Sequence, residues 1–159
     1  MARRFLQTHR RGTRIRVSER GAELVEFAFV LPLLLFVLAG IIDFGLLMQR
    51  YEVVTNAARE GARIASLPGY NQADVQARVT QYVQNGISTT ATANATLSGP
   101  TTITPTGGGA PYQVRTVTVT HTSNFLILGP IARLIAGGGT YNSLTLTAQS
   151  TMRLEVPGP

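Results

Sequence analysis

The sequence predicts a membrane-anchored α+β protein. One long N-terminal helix would cross a membrane, continue beyond it, and lead into a small domain of a short helix and an antiparallel β-sheet. Three observations support this. Residues 27–48 contain a single ionisable side chain, Asp43. Helical spacing of small and polar residues continues after this run from Gln49 to Ser66. Near the C-terminus, residues 144–156 alternate apolar and polar side chains, as a strand with one buried face does.

The positive charge of the chain is concentrated at its N-terminus. The net charge is +6, and residues 1–20 contain seven arginines and one acid, whereas residues 21–159 contain seven of each. Because positive residues next to a membrane span stay in the cytoplasm, we expect residues 1–21 to form a cytoplasmic leader and residues 68–159 an extracytoplasmic domain. A nucleic-acid-binding arm has a similar composition. Since the leader offers Phe5 as its one aromatic side chain for stacking, that is the weakest hypothesis, and we expect no nucleic-acid partner.

The long helix is predicted over residues 22–67, with its membrane-spanning part at about residues 27–48. At about 1.5 Å per residue this apolar run is about 33 Å long, enough to cross a hydrocarbon core of about 30 Å. Pro32 lies inside the run. It removes one backbone hydrogen bond, so we expect a kink or a local loosening there, which membrane helices tolerate.

Beyond the span, the helix carries a stripe of small side chains at helical spacing. This allows another backbone to approach closely, either from a neighbouring helix or from the chain's own domain. On the other side, Glu60 and Arg63 are predicted to form a solvated ion pair worth a few tenths of a kcal/mol. Pro68 and Gly69 are expected to end the helix. The stripe consists of Ala57, Ala58, Gly61, Ala62 and Ala65.

A second helix is predicted after this turn. Asn71 is a plausible N-cap, with Asp74 three residues later, and Asn85-Gly86 closes the segment. Its apolar face consists of Val75, Val79, Tyr82 and Val83.

The rest of the outer domain is predicted to be mainly β-structure. Residues 88–111 are rich in Thr, Ala and Gly and indicate a weak strand with a flexible loop. Residues 112–121 indicate a strand, and residues 144–156 a second one. Between them, residues 125–136 are apolar and predict a short core or interfacial helix, broken at Gly129-Pro130, that is too short to span a bilayer.

The sequence gives little support for catalysis or for a bound cofactor. It contains no cysteine, which excludes disulfides and thiolate metal sites. His9 and His121 neighbour no Ser or Asp at a known motif spacing, and no glycine pattern suits a phosphate. We therefore expect no enzyme activity, no metal or cofactor, and no small-molecule substrate.

A processing site is predicted between Gly21 and Ala22. A secretory cut after Ala39 would leave the apolar residues 40–48 at a new N-terminus, and the apolar run is too long for such a signal. A cut on the cytoplasmic side instead separates the basic leader and leaves the helix attached to the product. Glycine at that point gives a protease close access to the backbone.

The order of these features resembles a known family. A basic leader, a glycine, four residues, a glutamate and a long apolar helix form the type IV pilin-like pattern, present here as RG-AELVE-F. More narrowly, GAELVEFAFVLPLLLFVLAGIIDFG followed by TNAAREGAR resembles the TadE-like family of the tight-adherence (Tad/Flp) pilus system. The resemblance is strong from Gly21 to Ala65 and weaker in the final strand, LTLTAQSTMRLE.

The resemblance implies a single-pass pseudopilin of the cytoplasmic (inner) membrane, cleaved between Gly21 and Ala22. Glu26 then corresponds to the pilin glutamate, with Glu23 beside it, and Phe27 to the aromatic residue that often follows. The implied partners are a prepilin peptidase, other pilins or pseudopilins, the inner-membrane assembly platform and the lipid bilayer. The alternative is an uncleaved, membrane-anchored module that binds a ligand with its outer domain.

Two acids leave alternatives open. Glu26 could meet the new α-amine of a neighbouring subunit, which is mostly cationic at neutral pH because its pKa is about 8. It could equally lie among the headgroups or pair with Arg20. Asp43 could contact a partner, as intramembrane acids often do, or be exposed at the interface. We group Asp43 with Ala58, Gly61 and Ala62 as expected intramembrane or interface contacts.

Overall fold

The computed structural model describes residues 19–136 and 143–155, and the side chains of residues 21–133 and 143–155. Most of the basic leader, the glycine-rich residues 137–142 and the last four residues lie outside this part. The described elements are α1 (Glu19–Ala65), α2 (Gln72–Gly86), β1 (Asn94–Leu97), β2 (Thr101–Ile103), β3 (Tyr112–Asn124), α3 (Leu128–Ala136) and β4 (Ser143–Arg153). A long helix followed by a short helix and an antiparallel sheet confirms the predicted α+β class. The chain divides into two compact units, residues 1–37 and residues 38–159.

Helix α1 is 47 residues long and continues through Pro32. It begins three residues before the predicted start because Glu19 and Arg20 are good helix formers. By length and composition, α1 is the one helix in the described part of the chain that could cross a membrane. It ends at Ala65, and the turn after it includes Gly69 with a φ of +87°, a conformation that favours glycine.

Helix α2 begins with the predicted cap. The Asn71 Oδ1 atom accepts hydrogen bonds from the backbone N–H groups of Ala73, at 2.7 Å, and Asp74, at 3.3 Å. The Asp74 carboxylate accepts the Asn71 N–H in return, which completes a capping box. Val75, Val79 and Val83 are fully buried, as predicted. Tyr82 is 37% exposed, so the buried face is narrower than expected.

Strand β3 lies in the middle of a four-stranded antiparallel sheet. Strand β4 pairs with β3 along one side over eleven residue pairs. On the other side β1 pairs with residues 117–120 and β2 with residues 112–114. Strand β3 runs three residues beyond the predicted end because this pairing with β4 continues to Asn124.

One face of the sheet packs against the helices and forms the core with them. The alternation predicted for β4 is confirmed in part: Leu146 and Ala148 are buried and Thr147 between them is exposed, whereas Leu144, predicted on the buried face, is 44% exposed. The predicted strand was too long at its end: β4 stops at Arg153, Leu154 and Glu155 are not part of it, and Val156 lies outside the described residues. The other buried members of the core are mainly Ala and Val from α1, α2 and β3: Val54, Ala57, Ala58, Ala62, Ala65, Val75, Val79, Val83, Val117 and Val119.

Helix α3 differs from the prediction. It begins at Leu128, so Gly129 and Pro130 lie in its first turn and do not break it. Proline is tolerated there because the first N–H groups of a helix have no intrahelical acceptor. The predicted break was therefore wrong, and these residues mark the start of the helix.

Candidate functional site

The residues of the predicted processing and assembly segment are accessible. Gly21, Ala22, Glu23, Glu26 and Phe27 are all exposed. A Cβ atom added at Gly21 would meet no heavy atom within 4 Å. In the part of the chain that the structure describes, no hydrogen-bond or ion-pair partner of the Glu26 carboxylate is found. These side chains are thus not covered by the described part of the chain, and the cleavage and assembly roles of the segment stay predictions.

Asp43 lies in a different environment from Glu26. Its side chain is 3% exposed. The Oδ1 atom accepts hydrogen bonds from the backbone N–H groups of Leu126 (2.9 Å) and Ile127 (3.2 Å). The Oδ2 atom accepts from Ile127 (3.1 Å) and Leu128 (2.7 Å). These N–H groups lie at the N-terminus of α3, where the helix dipole also favours a negative charge.

The Asp43 carboxylate therefore anchors α3 to α1 within one chain. This arrangement differs from the interfacial exposure that was one of the two alternatives. A further contact of Asp43 with another subunit stays a prediction. Its hydrogen bonds satisfy a charge that would be costly if it were buried without partners.

Arg50 is a site residue that sequence reasoning missed. Its Nη1 atom donates to Ser123 Oγ at 2.6 Å and to the Asn124 carbonyl at 2.8 Å. Asp43 and Arg50 are seven residues apart, about two turns, so they lie on the same face of α1. Together they hold residues 123–128 against this face. The signal in the sequence was the spacing of these two charges at the end of the apolar run.

The stripe of small residues packs within the chain's own domain. Ala58, Gly61 and Ala62 are buried. A Cβ atom at Gly61 would lie 2.9 Å from Val79 Cγ2 and 3.2 Å from Val117 Cγ1. Of the two alternatives left open for this stripe, the structure shows the close approach of α2 and β3. That these three residues also contact another subunit stays a prediction.

Glu60 belongs to a larger cluster than the predicted ion pair. Its carboxylate accepts hydrogen bonds from Arg63 at 2.9 Å and from Arg78 of α2 at 2.9–3.0 Å. The Glu60 side chain is 18% exposed. The hydrogen bond from Arg63, together with those from Arg78, lowers the Glu60 pKa to about 2. The predicted ion pair of Glu60 with Arg63 is confirmed, but the expectation that it stands alone in solvent was wrong, because the carboxylate also links α1 to α2.

The outer domain has open clefts with few ionisable groups. One, of about 340 Å³, lies between α1 and α2 and includes Glu52 and Tyr82. Another, of about 270 Å³, includes Arg50 and His121. The His121 ring is buried, and its Nδ1 atom lies 2.7 Å from the Thr92 carbonyl. His9 lies outside the described residues. Within residues 19–136 and 143–155, no group of three or more His, Asp and Glu side chains is placed to hold a metal ion.

Comparisons with known proteins bear on the N-terminal half of this arrangement. No curated protein and no solved structure is significantly similar to the chain. One family model matches, over about a quarter of the chain, and its match begins at Gly21. The matched segment contains Glu26, Asp43, Arg50 and the small-residue stripe up to Ala62. Residues 21–63 match the model of the TadE-like protein family, the family that these residues resemble.

Proposed function

We propose that the chain is a pseudopilin, a minor structural component in the assembly of a Tad (Flp) type IV-like pilus or a related secretion machine. A prepilin peptidase would cleave it between Gly21 and Ala22, and α1 would keep the product in the cytoplasmic membrane. One observation carries this proposal: the TadE-like match begins at the glycine of the proposed cut and continues along the apolar helix.

The accessibility of the N-terminal segment supports the proposal. A carboxylate at the edge of the hydrocarbon costs several kcal/mol unless it is paired or neutralised. Glu26 is exposed, and the described part of the chain provides no partner for it. Cleavage before Ala22 creates an α-amine with a pKa of about 8, mostly cationic at neutral pH. An amine of this kind on a neighbouring subunit is a suitable partner for Glu26 when the helices pack side by side.

The charge distribution supports an N-in orientation, with residues 68–159 on the extracytoplasmic side. In this orientation the leader and Gly21 face the cytoplasm, and the outer domain is free to meet other pilins or pseudopilins. The inner-membrane assembly platform and the peptidase complete the set of proposed protein partners. The proposal requires no cofactor, nucleic acid or small-molecule substrate.

The experiment that tests the proposal is N-terminal sequencing of the chain after co-expression with a prepilin peptidase. We expect a product that begins at Ala22, and Gly21→Leu should block its formation because a bulky side chain obstructs the protease. Gly40→Leu is the matched control, since a Cβ atom there also meets no heavy atom within 4 Å, and it should be cleaved normally. A chain that still begins at Met1, or that begins at Gly40, would favour the uncleaved binding module or a secretory signal instead.

The same preparation tests the assembly role of Glu26. Glu26→Ala should leave cleavage intact but reduce cross-linking to other pilus subunits, because a buried pair that loses one partner costs about 3–5 kcal/mol. Glu26→Gln should be partly tolerated, since the amide still accepts a hydrogen bond from the amine. An exposed pair is worth about 0–1 kcal/mol, so equal cross-linking of Glu26→Ala and the parent would show that this carboxylate is a solvated charge.

A further inference from the structure

The chain turns back towards the apolar part of α1 after strand β3. At the end of β3, Ser123 and Asn124 are held by Arg50. The next residues, from Leu126 to Leu128, are held by Asp43. Seven residues of α-helix correspond to about 10 Å. The segment between β3 and α3 therefore runs about 10 Å along α1 towards its N-terminus.

The segment between β3 and α3 therefore reaches residues of α1 that belong to the apolar run. The run ends at Met48, so Asp43 lies five residues inside it, or about 7.5 Å. The buried face of α1 extends further in still, because Ala39, Asp43 and Leu47 follow one another at i, i+4 and i+8 and are all buried. Other residues at this level remain exposed, among them Phe44 at 61%.

The segment that reaches this level has an apolar surface. Residues 125–128 are Phe, Leu, Ile and Leu, and Arg133 is the single charged residue between positions 125 and 136. Leu126 is 62% exposed, and Pro130 is also exposed. Helices that lie in a membrane interface bury their apolar face about 5–10 Å below the surface, which agrees with the depth of Asp43.

We propose that residues 125–133 enter the lipid leaflet next to the outer domain and contact its acyl chains. The proposal rests on the membrane crossing of α1 but not on cleavage of the leader. The occupant is lipid, because the exposed Leu126 lies at the same level as the exposed Phe44 of the membrane-spanning helix.

The hydrogen bonds of Asp43 fit this location. Inside a membrane no water satisfies the backbone, so a segment that is not yet helical needs acceptors from the protein. Residues 126 and 127 precede α3, and their N–H groups and that of Leu128 all donate to the Asp43 carboxylate. The presence of an acid within an apolar run is therefore explained by the backbone N–H groups that donate hydrogen bonds to it.

The absence of tryptophan from the chain allows a direct test. A single tryptophan is introduced by Leu126→Trp or, as a second variant, Pro130→Trp, both at exposed positions. Each full-length variant is reconstituted in phosphatidylcholine vesicles with and without brominated acyl chains, which quench nearby tryptophan fluorescence. Phe44→Trp is the membrane control. Tyr70→Trp is the aqueous control, because Tyr70 is 43% exposed and lies 22 residues beyond Met48.

We expect Leu126→Trp and Pro130→Trp to be quenched to at least half the extent of Phe44→Trp, while Tyr70→Trp keeps its fluorescence. Quenching of Phe44→Trp alone would overturn the inference and leave the membrane crossing of α1 intact. If neither Phe44→Trp nor Leu126→Trp is quenched, the membrane crossing fails as well, and the inference fails with it.

Discussion

Replacing Asp43 by leucine should release the N-terminus of α3. The change removes the acceptor of three backbone N–H groups, those of Leu126, Ile127 and Leu128. Each buried donor left without an acceptor costs about 1–3 kcal/mol. Because the three donors are adjacent and the segment has room to relax, we take the low end of the sum, about 3 kcal/mol. This corresponds to an increase of about 10²-fold in the fraction of molecules in which the segment is open.

Hydrogen exchange followed by mass spectrometry measures this opening, because local openings set the exchange of protected amides. The full chain in mild detergent should show faster exchange in a peptide that covers residues 125–128. Asp43→Asn is the matched control, since its side-chain oxygen still accepts, and its effect should be nearer 1 kcal/mol. A peptide from β3 should exchange at the parent rate in both variants.

Two results would refute this reasoning about Asp43. Exchange of residues 125–128 at the parent rate in Asp43→Leu would show that the carboxylate does not hold α3. An equal acceleration in β3 would show that the variant unfolds the whole domain, so that the effect is not local.

Two further predictions concern the stability of the outer domain, measured as the free energy of unfolding by urea in detergent. Gly61→Ala should destabilise it by about 1–2 kcal/mol, since the new methyl group would lie 2.9 Å from Val79 Cγ2 and overpacking outweighs the gain in helix propensity of about 1 kcal/mol. Gly99→Ala, with no heavy atom within 4 Å of its Cβ, should stay within about 0.5 kcal/mol of the parent. The pKa of Glu60 is about 2 in the folded domain and 4.5 for the free side chain. The stability that ionised Glu60 gives the domain is therefore fully present above pH 4.5 and is lost as the pH falls to about 2. Because its arginine partners are largely exposed, we expect Glu60 to contribute about 1 kcal/mol to the free energy of unfolding. Glu60→Gln should abolish the pH dependence of this free energy. The same pH dependence in the parent and in Glu60→Gln would contradict the prediction.

The features that the sequence predicted are those that arise from local patterns. The apolar run defines α1, because a helix that crosses lipid must satisfy its backbone internally. The cap of α2 depends on Asn71 and Asp74, which are three residues apart. The buried face of β4 follows from its alternation with period two. In each case the pattern that decides the structure lies in one continuous stretch of sequence.

The features that escaped prediction depend on residues far apart in sequence. Asp43 meets a segment more than 80 residues later, and Arg50 meets Ser123 at 73 residues' distance. Glu60 finds Arg78 through the packing of α2 on α1. Local patterns indicate that such a side chain is charged, but its partner is determined by how the chain returns to the helix. This is why Asp43 was placed among interface residues and Arg50 was not considered.

The use of α1 by its own domain limits where another subunit could pack against it. From Ala39 onwards one face of the helix is buried, first around Asp43 and Leu47 and then along the stripe that ends at Ala65. Residues 21–37, in contrast, are exposed apart from the half-buried Leu31. Side-by-side packing of helices is therefore least obstructed in this first part, where Glu26 would meet the amine of a neighbour. The proposed assembly contact and the domain contacts thus involve different residues of the helix. A neighbouring subunit could bind or leave at Glu26 without contacting the core residues of the outer domain.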